Sequence, residues 1–293
     1  MALDALFLQT LLNGLMVGGI YVMLAIGFSL AYGVMHIIDF AVGAWIMLGA
    51  FLAFFLNQWL HVDPLWLLPV VWAVFTGVGY VLQPLIGRAV SGKVGKPALM
   101  GLVFTFGLAL LIQGSALTAF GFNNRSLTSS LSSSFIEIGT LTLPTLRVLA
   151  FAFAVAVNLI LFTVLRYTNF GLAVRAIAVD KVTPGLMGVN VSQVSKQVYA
   201  LYTGITAATG VFVGLLFNIN AQMGGSYTVF AFFVVVLAGL GYLPGVFAAA
   251  LILGLVQAFF SVYFNPGYTL LVVFLGLYLV LLLSPRGLFR RGV

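Results

Sequence analysis

LFLQTLLNGLMVGGIYVMLAIGFSLAY, residues 6–32, is the stretch of sequence that decides the fold. It contains no charged residue and exceeds the roughly 20 apolar residues that a helix needs to cross a bilayer. The residues before it, Met1-Ala-Leu-Asp4, lack the basic start of a secretory signal, and the run is longer than the apolar part of one. We therefore predict that residues 6–32 form a membrane-spanning helix.

The rest of the chain repeats this pattern. Of its residues 63% are hydrophobic and only 6% are charged, whereas a soluble domain carries about 25% charged residues. Too few polar side chains remain to cover a water-facing surface, so lipid must be the solvent for most of the outside. We predict an all-α polytopic membrane protein, with about eight to nine transmembrane helices in a single transmembrane domain over residues 1–293. The further apolar segments are 40–60, 64–87, 98–120, 146–165, 197–218, 227–241, 244–263 and 268–284.

The segment 227–241 is short for a full crossing. Residues 227–263 therefore form either two spans or one re-entrant hairpin, and the two alternatives place the following segment in the same direction. Glycines recur with the spacing of close helix–helix contacts in Gly14-Leu-Met-Val-Gly18 and Gly210-Val-Phe-Val-Gly214. That signal is weak, since glycine-rich membrane helices often produce it by chance.

The basic residues predict the orientation. If the segments alternate, ten of the twelve Lys and Arg residues lie on one side of the membrane, and that side is cytoplasmic. The N-terminus is then periplasmic and the C-terminus cytoplasmic. This rule also explains the net charge of +7. We therefore expect the chain to contact membrane lipid, and we expect no nucleic acid partner. The ten are Arg88, Lys93, Lys96, Arg166, Arg175, Lys181, Lys196, Arg286, Arg290 and Arg291.

Catalytic and cofactor chemistry is missing from the sequence. The two histidines, His36 and His61, do not have the spacing of a metal or nucleophile site, and there is no cysteine. The stretch 87–94 matches a phosphate loop except for Val94, which stands where that motif needs Ser or Thr for magnesium. We expect no cofactor, no metal and no enzymatic activity in this chain.

Two interruptions of the apolar pattern point to a solute path. Gly33–Gly43 and Gly239–Gly245 interrupt the two halves of the chain, and half-helix ends at such paired breaks expose backbone groups that can hold a polar solute. Two ordinary interhelical turns are the alternative. Asp39 lies either inside a broken helix or at the membrane interface, and both placements stay open. The residues that we expect along a path are Asp39, Phe40, Gly43, Gly239, Gly241, Pro244 and Gly245.

Two loops are longer than simple turns. The periplasmic loop, about 121–145, is rich in Ser, Thr and Asn, and it is either a solvated surface or a docking surface for a partner. The cytoplasmic loop, about 166–196, is half apolar. We predict a short amphipathic helix there, followed by a turn at Pro184-Gly185.

Four stretches resemble the integral membrane permeases of the branched-chain amino acid family of bacterial ABC importers, and more the first of the two paired permeases. Asn13 through Gly27 is similar to the opening helix of the family, and Tyr32 through Gly43 to a stretch that usually reads N-F-A-H-G. Arg166 through Asn190 resembles the cytoplasmic loop of the family, and Leu237 through Gly245 a glycine signature. The last two are the specific ones.

The resemblance implies a motor outside this chain. The loop 166–196 would be the coupling helix that sits in a cytoplasmic ATPase subunit, with Arg175 and Asp180 facing that partner, Ala178 between them, and Gly188 and Asn190 at its end. A second permease, a paralogue by this resemblance, would form the other half of the path. A periplasmic binding protein would deliver the solute, with residues 121–145 as its candidate contact.

The sequence departs from the family pattern where the solute could be read. Asp39 replaces Asn, Val42 replaces His, Ala44 stands where an acid is common, Val179 stands for Glu, and Pro184 is unusual. Members of the family also carry urea, amides and aromatic acids, so the cargo stays open. The rivals are a stand-alone channel or secondary transporter, which the scarcity of intramembrane charge disfavours, and a membrane-embedded enzyme.

Overall fold

The computed structural model describes residues 2–90, 97–138, 141–284 and 287–289. Helix dominates it, and each of the nine predicted apolar segments coincides with a helix, so the all-α class is confirmed. The α-helices of the described residues are α1 (Ala2–Met35), α2 (Val42–Leu60), α3 (Leu68–Val90), α4 (Pro97–Phe120), α5 (Thr145–Tyr167), α6 (Asn169–Val179), α7 (Val182–Leu186), α8 (Val191–Leu216), α9 (Met223–Ala238), α10 (Leu243–Tyr263) and α11 (Thr269–Leu283).

Seven helices of the described chain are long and apolar enough to cross a membrane, namely α1 to α5, α8 and α10. The apolar helices α9 and α11 are shorter. With 16 residues, α9 extends about 24 Å at 1.5 Å per residue, which falls short of the roughly 30 Å hydrocarbon core. The predicted ambiguity at 227–263 therefore resolves into one short helix followed by one of full length.

Two helices form the centre of the bundle. Of the apolar window of α1, 89% is buried inside the protein, and of that of α8, 94%, whereas the corresponding share for α4 is 17%. A helix that is apolar all round and enclosed in this way belongs in a protein interior, and one that stays exposed must face lipid or another subunit. α1 packs chiefly on α10, α8, α5 and α9.

Glycines allow α1 to approach α10 closely. A Cβ atom on Gly18 would lie 2.9 Å from the Cα of Leu251, and one on Gly14 would lie 3.0 Å from the Cα of Leu255. In lipid, helices associate through such tight packing, because the tails give no hydrophobic reason to associate. The contact predicted from the spacing of Gly14 and Gly18 is confirmed, and Gly210 packs in the same way against α2.

The bundle has two ends, which we call the hairpin face and the coupling face. The hairpin face carries residues 121–138 and 141–144, which include an antiparallel pair of strands, β1 (Phe135–Ile138) and β2 (Leu141–Pro144). The Gln9 side chain of α1 donates a 2.7 Å hydrogen bond to the Thr142 carbonyl there. The periplasmic loop is thus partly regular structure, where the sequence predicted only a polar loop.

The coupling face carries residues 169–190. The end of α1 and the connection between α9 and α10 lie at this face, and the Leu288 amide donates to the Leu237 carbonyl at 2.9 Å beside them. The helix ends therefore alternate between two faces as predicted, and the assignment of the coupling face to the cytoplasm stays a prediction from the basic residues.

Some predicted features lie outside the described residues. These are Lys93 and Lys96, residues 91–94 of the phosphate-loop-like stretch, and the terminal arginines Arg286, Arg290 and Arg291. The described part of the chain contains no cluster of His, Asp or Glu that could hold a metal ion.

Candidate functional site

The coupling segment, residues 169–190, begins with the predicted amphipathic helix. The Thr168 hydroxyl accepts the Gly171 N–H at 3.1 Å and caps α6. Gly171, Val174 and Ile177 form the buried face at helical spacing. A Cβ atom on Gly171 would overlap the carbonyl group of Leu165. Only glycine therefore allows α6 to lie directly against the end of α5.

The predicted turn at Pro184-Gly185 is wrong, because both residues lie inside α7. Pro184 is the third residue of this helix, where the N–H that proline lacks would have no partner within the helix. The chain turns instead at Gly188, whose φ of +88° is a left-handed conformation that glycine adopts without strain.

Arg175 and Asp180 hold the coupling segment in shape. The Arg175 guanidinium donates to the Leu165 carbonyl, and to the Arg166 carbonyl at 3.2 Å, which places a cation at the C-terminal end of α5. The Asp180 carboxylate accepts the hydroxyl of Thr183, and the N–H groups of Val182 and Thr183 at 3.0 Å each. These hydrogen bonds lower the pKa of Asp180 to about 2.

Two other predicted coupling residues lie at the start of α8 and in the wall of a cavity. The Asn190 side chain accepts the Gln193 N–H at 3.0 Å and caps α8. Ala178 lines a cavity at the coupling face. The contact of Arg175, Ala178, Asp180, Gly188 and Asn190 with an ATPase stays a prediction.

Lys181, which entered the sequence analysis only through its charge, joins the coupling segment to α1. Its ammonium donates a hydrogen bond of 2.8 Å to the carbonyl of Met35, the last residue of α1. Burial lowers the pKa of Lys181. A cation on the final carbonyls of a helix complements its dipole. No sequence signal marks this contact, because the two residues are far apart along the chain.

The first break, residues 36–41, lies within packed protein. Asp39 is 3% exposed, and its carboxylate accepts the Ala41 N–H at 2.7 Å and the Tyr199 hydroxyl at 2.9 Å. The Phe40 N–H donates to the Thr105 hydroxyl at 3.1 Å. Irregular backbone is tolerated at membrane depth only when protein satisfies it in this way. Hydrogen bonds from other helices thus satisfy the non-helical connection between α1 and α2, and the placement of Asp39 inside a broken helix stays a prediction.

Gly43 marks the closest approach of this break to another helix. Its N–H donates to the Thr228 hydroxyl of α9 at 3.1 Å, and any Cβ on Gly43 would overlap the carbonyl of Gly224. Asp39, Phe40 and Gly43 are thus surrounded by side chains and backbone, and none of them is among the residues that line the described cavities. Their place along a solute path stays a prediction.

The second break, residues 239–242, packs against Gly33, which lies near the end of α1. Gly239 and Gly241 have φ values of +96° and +79°, which permit a tight reversal between α9 and α10. A Cβ on Gly33 would lie 3.5 Å from the Gly241 carbonyl. Of the four path residues predicted here, Gly241 and Pro244 line the coupling-face cavity, while Gly239 packs against Gly287 and Gly245 against Tyr242 and Phe289.

Two of the described cavities, one at each end of the bundle, are bordered by α1, α5 and α10. The coupling-face cavity has a volume of about 510 Å³ and a mainly apolar lining, with Arg166 and Arg175 at its edge. The hairpin-face cavity has a volume of about 830 Å³ and is rich in polar groups. Its polar lining residues are Asn13, Tyr21, Arg147, Asn218, Asn220, Gln222, Ser226, Tyr227, Gln257 and Ser261.

The polar side chains of the hairpin-face cavity come from distant parts of the sequence. The Tyr21 hydroxyl of α1 donates to the Gln257 side chain of α10, and Arg147 of α5 lies 3.5 Å from the Asn13 side-chain oxygen. Each is an isolated polar residue in an apolar segment, so no spacing rule groups them. The one sequence signal that could have pointed to this cavity was the presence of single polar residues inside predicted spans.

Comparisons with known proteins agree on one family. The family model described as branched-chain amino acid transport system / permease component matches residues 10–282. The high-affinity branched-chain amino acid transport system permease protein LivH of Escherichia coli is 29% identical over 298 residues, covering 97% of this chain and 96% of its own. BraD of Pseudomonas aeruginosa, described in the same words, is 27% identical over 297 residues, with 97% and 96% covered. No solved structure matches the chain significantly.

Proposed function

We propose that this chain, which belongs to the family of branched-chain amino acid transport permeases, is a permease subunit of an ATP-driven importer for branched-chain or related hydrophobic amino acids. The family comprises transport components of ABC transporters, and the chain is a multi-pass protein of the inner membrane. Beyond that, we propose that it forms half of a translocation path with a second permease. ATP hydrolysis takes place in separate cytoplasmic subunits.

An exposed apolar surface on the coupling segment carries this proposal. Val179, Val182, Leu186 and Met187 are between 67% and 90% exposed. Val179 is the last residue of α6, Val182 and Leu186 are the first and last residues of α7, and Met187 follows them. Clustered apolar side chains exposed outside the membrane mark an interaction site. We propose that this coupling surface sits in a cleft of the ATPase subunit.

The coupling segment is anchored to α5 and α1, so a movement of the coupling surface would be transmitted to these helices. Arg175 ties α6 to α5, and Lys181 ties the connection between α6 and α7 to α1. Met35, the acceptor of Lys181, stands directly before the break at residues 36–41. A displacement of the coupling surface is therefore passed to residues 36–41 and to the start of α2, where Asp39 contacts α8 and Gly43 contacts α9.

The two cavities are the candidate ends of the solute path. In the proposed cycle, a periplasmic binding protein releases its solute into the hairpin-face cavity, and the rearranged bundle releases it through the coupling-face cavity. Urea, amides and aromatic acids are the other solute classes to be tested beside leucine, isoleucine and valine.

A stand-alone channel or secondary transporter is the rival function. Ion-coupled transporters use intramembrane ionisable groups as relays. Asp39, the buried acid of the described chain, is held by Tyr199 and Ala41 within packed helices, which supports a motor-driven subunit over a self-coupled one.

Capture of the ATPase by the tagged chain tests the proposal. Replacing Val179 and Leu186 together by Asp should lower the captured amount of the cognate ATPase subunit at least about tenfold, because burying an unpaired charge in an interface is costly. Phe122→Asp on the hairpin face is the matched control, since Phe122 is also exposed, and it should leave capture unchanged. Equal capture by all three proteins would contradict the coupling surface.

A further inference from the structure

The hairpin-face cavity has a positive electrostatic character. Arg147 lines it, and no Asp or Glu is among its lining residues in the described part of the chain. The contact of Arg147 with Asn13, at 3.5 Å to the amide oxygen, is a long one to a neutral group. The charge of the guanidinium is therefore not neutralised within the cavity lining.

The position of Arg147 along its helix is unfavourable for stability alone. It is the third residue of α5, and a cation in the first turn of a helix opposes the helix dipole. Its side chain is half-buried at the wall of the cavity. An arginine held there without an acidic partner indicates a charge that is kept for a ligand.

The start of α9 adds to the positive character. Met223 and Ser226, both in the first turn of α9, line the same cavity. Amide groups in the first turn of a helix have no acceptor within the helix, and they carry the positive end of its dipole. α9 is also one of the apolar helices that are too short to cross the membrane, and discontinuous helices that line solute sites direct their N-termini at anionic groups.

The remaining wall is apolar on one side. Val17 and Ile20 of α1, Phe230 of α9 and Val262 of α10 line it. This combination of an unpaired cation, a helix N-terminus and an apolar wall suits one carboxylate joined to a short apolar group.

We propose that the hairpin-face cavity binds the carboxylate of the solute through Arg147, and that the solute is therefore a carboxylate-bearing one, such as a hydrophobic amino acid. This inference rests on the proposed transport function. Neutral urea and amides offer the guanidinium no charge partner, whereas a carboxylate forms a charge-assisted, bidentate pair with it. Arg147 is thus a specificity-determining residue.

The cysteine-free chain allows the charge of the cavity to be measured directly. Ser226→Cys places a thiol in the cavity, and Ser133→Cys places one on the exposed surface of the hairpin face. Each is labelled in membranes with an anionic and a cationic methanethiosulfonate reagent of similar size. Arg147→Gln should lower the anionic-to-cationic rate ratio at residue 226 by about tenfold, the order expected when a unit charge within ~10 Å is removed.

Two controls accompany this measurement. Arg147→Lys keeps the charge and should keep the ratio at residue 226, and the ratio at residue 133 should stay the same in every variant. Normal labelling of residue 133 also reports that each variant is inserted. An unchanged ratio at residue 226 in Arg147→Gln would overturn the proposal.

Protection of the same thiol identifies the ligand class. Leucine should slow labelling of Ser226→Cys, while leucinamide and urea at equal concentration should slow it at least about tenfold less. Arg147→Gln should remove the difference between leucine and leucinamide. Equal protection by leucine and leucinamide with Arg147 present would overturn the proposal. Neither assay needs ATP or a partner. The proposed carboxylate site can therefore be refuted while ATP-driven uptake is confirmed, and ATP-driven uptake can be refuted while the carboxylate site is confirmed.

Discussion

The ammonium nitrogen of Lys181 lies 2.8 Å from the backbone carbonyl oxygen of Met35. One end of this contact belongs to the segment that presents the coupling surface, and the other is the last residue of the central helix α1. Met35 is followed at once by the non-helical residues 36–41, which contact α4, α8 and α9 through hydrogen bonds. The contact thus joins the proposed ATPase surface to the non-helical connection between α1 and α2.

Lys181→Met should uncouple transport from ATP hydrolysis. It keeps the length of the side chain and removes a charged hydrogen bond, whose contribution is roughly 1.5–3 kcal/mol, so we expect solute uptake per ATP to fall about tenfold while the complex still hydrolyses ATP. Lys181→Arg keeps a cation within reach of the Met35 carbonyl and should retain most of the coupling. Unchanged uptake per ATP in Lys181→Met would remove this contact from the mechanism.

Asp180 gives the coupling segment a defined dependence on pH. Its pKa is lowered to about 2 from 3.8 by the hydrogen bonds of Thr183 and Val182. Its contribution to local stability is therefore complete above pH 4 and is lost as the pH falls through about 2. Protection factors for amide exchange at Val182 and Thr183 should follow this course, and Asp180→Ala should lower them several-fold at neutral pH. Equal protection factors in both proteins at neutral pH would contradict the assignment.

Gly43→Ala should destabilise the whole bundle. The added methyl group would overlap the Gly224 carbonyl, and overpacking of this kind costs about 1–3 kcal/mol or more. Gly225→Ala is the matched control, because a Cβ at Gly225 meets nothing within 4 Å. Thermal unfolding in detergent should show a lower midpoint for the first variant and an unchanged one for the second, and the same midpoint for both would refute the tight contact.

Asp39→Asn and Asp39→Leu separate hydrogen bonding from charge. Asn can still accept the Ala41 N–H and contact the Tyr199 hydroxyl, whereas Leu leaves both without their present partner. Each lost partner costs about 1–3 kcal/mol when the group stays buried. We therefore expect normal amounts of folded protein for Asp39→Asn and a clearly lower unfolding midpoint for Asp39→Leu. Equal losses in both variants would instead indicate that the charge itself is needed.

The helices of this fold could be predicted because a segment that crosses lipid must consist mainly of apolar residues. Runs such as 6–32 and 98–120 must be apolar to cross, and each became a helix. The amphipathic pattern of Val174 and Ile177 likewise identified α6. The turn at Pro184-Gly185 was predicted wrongly because proline is tolerated in the first turn of a helix, so the sequence cannot distinguish that position from a break.

The cavities and the links between faces could not be predicted. Arg147, Gln257 and Tyr21 are single polar residues in separate apolar segments, and only the packing of α1, α5 and α10 brings them to one cavity. Lys181 and Met35 are joined by a hydrogen bond to a backbone carbonyl, for which side-chain identity gives no signal. Asp39 was visible as an unusual acid, but its burial beside Tyr199 depends on α8.

ATP-dependent uptake by purified components tests the central claim most directly. The chain is reconstituted into liposomes with its cognate second permease, ATPase subunits and binding protein, and uptake of labelled leucine and related solutes is measured with and without ATP. The account predicts uptake that requires both ATP and the ATPase, and no uptake above empty liposomes by the chain alone. ATP-independent uptake of a solute by the chain alone would contradict it.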